Sequence, residues 1–237
     1  MFMLSEIEDT IRVEPKHFSK DSAQAITDQI NAKYANRILP DVGLCIAVHD
    51  VLDASEGRVR WGDGCLYYTV RFRLVVFRPF TNEVLVGRIS SSTHEGLRVS
   101  MGFFDEIYIP PHLMPTPHAF DYQEQAWFWL LDPATEEHSA DPLLSAPEER
   151  MYLDVGETIR FAIESDHFYD VEPGPALGEG KLGETPSGVG NIPGAPGAQG
   201  AANYSSYRIT GSIAGQGLGL VSWWAGAEQV SVDGVEQ

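Results

Sequence analysis

With 237 residues, of which 43% are apolar, the chain can bury one large core or two modest ones. Its formal net charge of −18 excludes general field-driven attraction to polyphosphate, so any nucleic-acid contact has to rest on local features. No apolar run approaches the length of a bilayer-crossing helix, and the opening MFMLSEIEDTIRV lacks the basic region and small-residue cleavage site of a secretory signal, so a soluble intracellular protein is expected. The charge is unevenly placed: residues 1–80 carry 10 Lys/Arg against 11 Asp/Glu, and residues 81–237 carry 6 against 23. Cys45 and Cys65 both lie in apolar, strand-like surroundings, which suits buried thiols better than a disulfide or a metal site.

In chain order, Met1–Val13 alternates loosely and predicts a strand with Phe2, Leu4, Ile7, Ile11 and Val13 as its apolar members, closed by Pro15. The spacing Ala25, Ile26, Ile30, Tyr34 predicts a helix within Asp21–Asn36, with Asp21 and Ser22 as N-cap candidates. Arg37–Pro40 is extended, Val42–Leu52 is a strongly apolar strand, and a turn around Glu56–Gly64 leads into a long strand, Cys65–Phe80. In that strand Leu66, Tyr68, Val70, Phe72, Leu74 and Val76 would face a core while Thr69, Arg71 and Arg73 face outward. Residues 1–80 thus predict an α+β domain, a helix covering an antiparallel sheet, with its boundary near Pro79.

Residues 81–237 read as a second, all-β domain. Asn82–Pro111 holds three short apolar runs, Val84–Val86, Leu97–Val99 and Ile107–Ile109, separated by turns at Ser91–Glu95 and Gly102–Phe104. After a proline-rich crossing, Pro110–Pro117, come a strand of bulky residues at Ala126–Leu131 and an acidic excursion over Asp132–Arg150. Met151–Val171 predicts two strands split at Gly156–Glu157, and Tyr207–Ile213 and Leu218–Trp224 predict two more. Short strands with glycine at the bends suit a small closed barrel of OB type. Gly and Pro make up nearly half of residues 172–203, so this stretch cannot offset its ordering entropy by burial and is expected to be a disordered insertion.

Several strings carry a resemblance across nearly the whole chain outside that insertion and the last dozen residues. They are MFMLSEIEDTIRV, DVGLC at Asp41–Cys45, GDG at Gly62–Gly64, VRFRLVVFRPF at Val70–Phe80 and EVLVGRI at Glu83–Ile89, then VSMGFFDEIYIPP at Val99–Pro111, DVGETIRF at Asp154–Phe161 and GSIAGQGLGLVSWW at Gly211–Trp224. In order and spacing they resemble the larger stalk subunit of eukaryotic RNA polymerase III, a relative of its archaeal counterpart and of the polymerase II stalk subunit, and GLGLVSWW favours the polymerase III branch. The resemblance implies an α+β N-terminal ribonucleoprotein-like domain that docks on the polymerase core, followed by an all-β OB-fold (S1-like) barrel near the RNA exit. It further implies a small helical subunit as heterodimer partner, a nuclear location, a role in transcription initiation, no cofactor and no active site in this chain.

Candidate residues follow from both lines. Trp61, Gly62, Asp63 and Gly64 form either a plain hairpin turn or, as the resemblance implies, the tip that contacts the polymerase core with Trp61 as an anchor. Arg71, Arg73 and Arg78 read as a solvated face with acidic partners, or as a contact for polymerase or nucleic acid. Arg88, His94, Arg98, Phe103, Phe104 and Tyr108 are the cations and rings with which an OB barrel would hold single-stranded RNA, unless the rings plug the barrel. Trp127, Phe128 and Trp129 alternate across a strand, so one face, carrying Phe128, is expected to need a protein partner, as are Trp223 and Trp224. The carboxylates Asp105/Glu106, Glu136/Glu137 and Glu148/Glu149 lack base–nucleophile spacing, and His112 and His118 lack ligand spacing. A free-standing S1/OB RNA-binding factor acting in RNA turnover or translation is the alternative to a stalk subunit, and an acidic hydrolase is a distant third.

Overall fold

The computed structural model describes residues 1–130, 142–169 and 206–224. The expected disordered insertion at 172–203 and Glu136/Glu137 lie outside the described residues.

The first half is built on one long strand. β5 (Leu66–Phe77) lies between β1 (Phe2–Val13) and β3 (Gly43–Ala54), both antiparallel to it, with β2 (Arg37–Leu39) beyond β3 and the short β4 (Arg58–Val59) extending the far end. Strict alternation sends Val70, Phe72, Leu74 and Val76 to one face, where each is at most 1% exposed. α1 (Ser22–Tyr34) covers that face through Ala25, Ile26 and Ile30, and the Tyr34 ring packs 5.7 Å from Phe72. The helix is also tied down by polar groups: Val48 donates its backbone N–H to Asn31 Oδ1 (2.9 Å), and Lys33 and Tyr34 both donate to Asp9. Asp21 occupies the N-cap position but makes no side-chain cap bond. At the start of β1, Phe2 and Leu4, expected in the core, are 49% and 47% exposed because they alternate with Ile7, Ile11 and Val13 and lie on the sheet face opposite α1.

The second half closes into a barrel. β6 (Val84–Thr93), β7 (Gly96–Ser100), β8 (Ile107–Ile109), β12 (Thr158–Phe168) and β13 (Tyr207–Ser212) run in the order β13-β8-β7-β6-β12, and β12 pairs with β13 to complete the circuit. β8 and β13 are parallel and the other neighbours antiparallel, an arrangement consistent with an OB fold. β6 continues through Ser91–Thr93 after a register shift between Ile89 and Ser91, which confines the turn expected over Ser91–Glu95 to His94 and Glu95. Between β8 and β12 stands a separate three-stranded sheet of β9 (His118–Asp121), β10 (Ala126–Leu130) and β11 (Arg150–Leu153), with β10 central.

The chain segment Leu218–Trp224 is not one strand. Only β14 (Gly219–Leu220) pairs with β12, and a single helical turn, α2 (Val221–Trp224), follows. Gly219 has φ +97°, and a Cβ there would lie 2.4 Å from the Trp223 ring, so glycine is what lets the chain turn and the indole fold back over it.

The two halves share a core. Leu44 and Phe77 from the first sheet join the barrel cluster, with Phe77 5.0 Å from Phe103 and 5.4 Å from Phe104, and Phe104 5.5 Å from Tyr207. Arg78 straps the seam: its Nε donates to Asp166 Oδ2 (3.0 Å), its Nη1 donates to the Asp41 carbonyl, and its guanidinium lies 5.4 Å from the Phe168 ring centre.

Candidate protein and nucleic-acid interfaces

The tip is the hairpin that joins β4 to β5. Arg58 opposes Tyr67, Val59 opposes Leu66, and the Arg60 N–H donates to the Cys65 carbonyl (3.2 Å). Gly62 and Gly64 adopt φ +104° and +64°, the left-handed region that L residues with side chains resist, and a Cβ at either would meet only open space. Asp63 fixes the turn: its carboxylate accepts from the Tyr67 hydroxyl (2.7 Å) and the Cys65 N–H (3.1 Å), and these bonds, the Tyr67 one foremost, hold its pKa below the usual carboxylate range. Nothing among the described residues covers Trp61, which is 99% exposed at the apex. A large apolar ring held out in water on an ordered hairpin is a feature of interaction sites, since a fold gains nothing from it.

Arg71 and Arg73 sit on the opposite sheet face from α1 and are both paired, Arg71 with Glu6 (3.3 Å) and Arg73 with Asp50. The Arg73 guanidinium holds the Asp50 carboxyl well below the usual range. With Arg78 committed to the seam, all three arginines have partners within the chain.

On the barrel, β7 and β8 place Arg98 directly opposite Tyr108. Thr210 on β13 opposes Tyr108 from the other side, and two residues away Arg208 lies across from His167 with its guanidinium 5.9 Å from the Tyr169 ring centre. Burial raises the Tyr108 phenol above its ordinary pKa, the Glu95 charge adds to this, and Arg208 and Arg98 act against it. Tyr108 donates its hydroxyl proton to the Glu95 carbonyl, and His94 is exposed in the same turn. Arg98, Tyr108, Arg208 and Tyr169 therefore form one basic and aromatic patch. Sequence reasoning does not find the last two, since they lie on either side of the Gly/Pro stretch; the alternation of YRITGS, with Tyr207 and Ile209 buried, is the available signal for an outward Arg208. Arg88 stands elsewhere, beside a surface groove of about 550 Å³ also lined by Val86, Ser100, Met101 and Thr158.

Several rings expected at the surface are spoken for by the fold. Phe104 is 6% exposed and plugs the barrel between Phe77 and Tyr207, so it cannot stack on a base. Phe103 is partly exposed but packs on Phe77 and lies 5.9 Å from Phe2. Phe128 is 0% exposed. Its strand does alternate, with Trp127 in the barrel-side cluster, but the other face is covered by the chain itself: Tyr152 lies 5.7 Å from the Phe128 ring and the Arg150 guanidinium 4.8 Å from it. Arg150 is anchored by the carbonyls of Leu143 and Ser145 (2.8 Å each) and by Asp121 (3.0 Å). Trp223 packs 5.2 Å from Trp129, and Trp224 donates Nε1–H to the Leu218 carbonyl (2.9 Å), so both are half-buried and serve the fold.

The carboxylates make no hydrolytic pair among the described residues. Asp105 accepts from the Ser100 hydroxyl, while Glu148 and Glu149 sit in a single 3-10 turn, Pro147–Glu149. His118 Nδ1 is 3.0 Å from the Pro115 carbonyl, and among the described residues no group of His, Cys, Asp and Glu could hold a metal ion. Cys45 and Cys65 are buried free thiols.

With the architecture in place, comparison with known proteins decides the family. Residues 83–224 match the family described as RNA polymerase III subunit Rpc25, and residues 8–64 match the SHS2 domain found in the N terminus of Rpb7p, Rpc25p and their relatives. The chain belongs to the Rpc25 family of RNA polymerase III subunits. It is 40% identical to DNA-directed RNA polymerase III subunit RPC8 of Saccharomyces cerevisiae, over 94% of this chain and 100% of the relative. The identity to RPC8 of Bos taurus is 37%, over 94% of this chain and 98% of the relative. DNA-directed RNA polymerase II subunit RPB7 of Saccharomyces cerevisiae is more distant, 28% identical over 51% of this chain and 71% of the relative. The motif strings and the family agree, and the first half is accordingly an SHS2 domain.

Proposed function

We propose that this chain is a non-catalytic stalk subunit of RNA polymerase III, acting in the nucleus, which docks on the polymerase core through the hairpin tip Trp61–Gly64. The observation that carries the reading is the fully exposed Trp61 on an ordered turn, in a chain alignable nearly end to end with relatives named as subunits of that polymerase. A small helical subunit is the proposed heterodimer partner. Phe2 and Leu4 are about half exposed on one face of the outer strand of the first sheet, Phe2 beside Phe103, and an apolar helix face would cover them. The patch of Arg98, Tyr108, Arg208 and Tyr169 is the proposed site of weak, salt-dependent contact with single-stranded RNA.

Valine at both Gly62 and Gly64 tests the tip. The positive φ at each resists a β-branched residue while the space around it is open, so the turn is remodelled and the rest of the sheet is untouched. The variant should still co-purify with the helical subunit and lose retention on stalk-depleted polymerase III. Wild-type occupancy on that core would sink the tip assignment.

A further inference from the structure

The tip hairpin has two chemically different faces. Residues directly opposite on paired strands share a face. Arg12, Tyr67 and Arg58 are in register across β1, β5 and β4, and the Arg60 guanidinium lies 5.8 Å from the Tyr67 ring centre on the same side. Val13, Leu66 and Val59 form the corresponding row on the other face, where Val13 is buried by the fold but Val59 extends past the end of α1 and is 68% exposed. Trp61 stands at the apex.

On the cationic face, Arg58 and Arg60 are not held in ion pairs among the described residues. Elsewhere on this side of the sheet each arginine has its carboxylate, as with Glu6–Arg71 and Asp50–Arg73. At the tip, Asp63 is engaged by Tyr67 and the Cys65 N–H, and Glu14 sits 2.6 Å from Lys16 and only 3.9 Å from Arg12. Arg58 and Arg60 make no ion pair among the described residues. Asp63 acts on Arg60 only from beyond ion-pair distance, so both guanidinia present donors to an outside partner in a chain of net charge −18.

We infer that the tip is a two-faced plug for a protein cleft that sets aspartate or glutamate side chains against Arg58 and Arg60 and an apolar wall against Val59 and Trp61. The inference rests on the tip-docking reading and adds the chemistry of the receiving surface. Guanidinium forks match carboxylates in geometry as well as charge, and an aromatic anchor beside them supplies the desolvated centre of such an interface. A nucleic acid fits less well, since the exposed Val59 on the other face of the hairpin offers nothing to a base or phosphate.

The test uses the full chain, co-expressed with the helical subunit and titrated onto stalk-depleted polymerase III at low and at high salt. Arg58→Glu combined with Arg60→Glu should weaken binding about tenfold or more at low salt, with a gap that narrows at high salt. Trp61→Ala should weaken it by roughly thirtyfold at both. If the arginine variant binds like wild type while Trp61→Ala is weak, the acidic cleft is excluded and tip docking stands. If neither variant loses affinity, tip docking itself falls. If the arginine variant keeps its affinity for the core but loses binding to a fluorescent oligouridine, the row is a nucleic-acid surface and the inference is overturned. Thermal melts matching wild type establish that both variants fold, as expected for side chains that touch only solvent and a neighbouring ring.

Discussion

At the level of single residues, the same side-chain type does opposite work depending on what the fold sets beside it. Trp61 and Trp127 are both indoles on or next to strands, yet one is 99% exposed and the other donates Nε1–H to the Thr93 carbonyl (2.7 Å) from within the core. Asp63 and Asp121 likewise both fix turns, but Asp121 is buried, and its carboxylate accepts from the Gln123 N–H (2.9 Å), the Tyr152 hydroxyl (3.1 Å) and Arg150 (3.0 Å). Those contacts, the Gln123 backbone bond foremost, hold its pKa below the ordinary carboxylate value. A depressed folded-state pKa means that the stability supplied by ionised Asp121 is complete above the unfolded pKa of about 3.9 and is lost as pH falls through the lower folded value. Asp121→Asn should therefore melt below wild type near neutrality, with the gap closing as pH drops below about 4. A gap that stays constant across that range would mean that the charge is not what stabilises the turn.

At the level of elements, β10 shows what a strand's own pattern leaves open. Alternation of Ala126–Leu130 establishes that Trp127 and Phe128 point to opposite faces, and that both faces must be covered. It does not say by what. The cover over Phe128 is a cation stacked on the ring, Arg150, delivered by a neighbouring strand and held by two loop carbonyls. Phe128→Ala should accordingly cost about 3–5 kcal/mol of folding stability in a denaturant titration, as for a buried ring, and leave affinity for the proposed helical subunit unchanged. A loss of partner binding without destabilisation would restore Phe128 to an interface. Leu218–Trp224 illustrates the complementary case, where an apolar run that looks like a strand is bent after Leu220 because Gly219 lets Trp223 close back over the backbone.

At the level of the molecule, the SHS2 half and the barrel are joined by packing as well as by chain. Phe77 ends the central strand of the first sheet and is fully buried among Phe103 and Phe104 of the barrel, while Arg78, the next residue, reaches Asp166 on β12. A tip docked at one end would thus transmit its orientation to the barrel, which is what a stalk requires. Arg78→Ala, Asp166→Ala and the double variant form a cycle whose coupling should be about 1 kcal/mol, since the pair is only partly withdrawn from water. Additive single effects would show that the strap holds nothing and that the aromatic seam alone joins the halves.

Periodicity marks out β1, α1, β3 and β5 in the first half and the apolar runs of β6, β7 and β8, and ordered strings make the family recognisable. These are local or one-dimensional properties, since a two-residue or 3.6-residue period and a turn glycine are written into contiguous residues. Which outward groups meet depends on strand pairing and barrel closure. Arg208 joins Arg98 and Tyr108 only because β13 lies parallel to β8, Phe104 and Phe128 lose their surfaces only because other segments fold over them, and the arginine row at the tip exists only in the register of three strands. Burial and proximity between residues far apart in the chain depend on pairing and closure, and no window of sequence contains them.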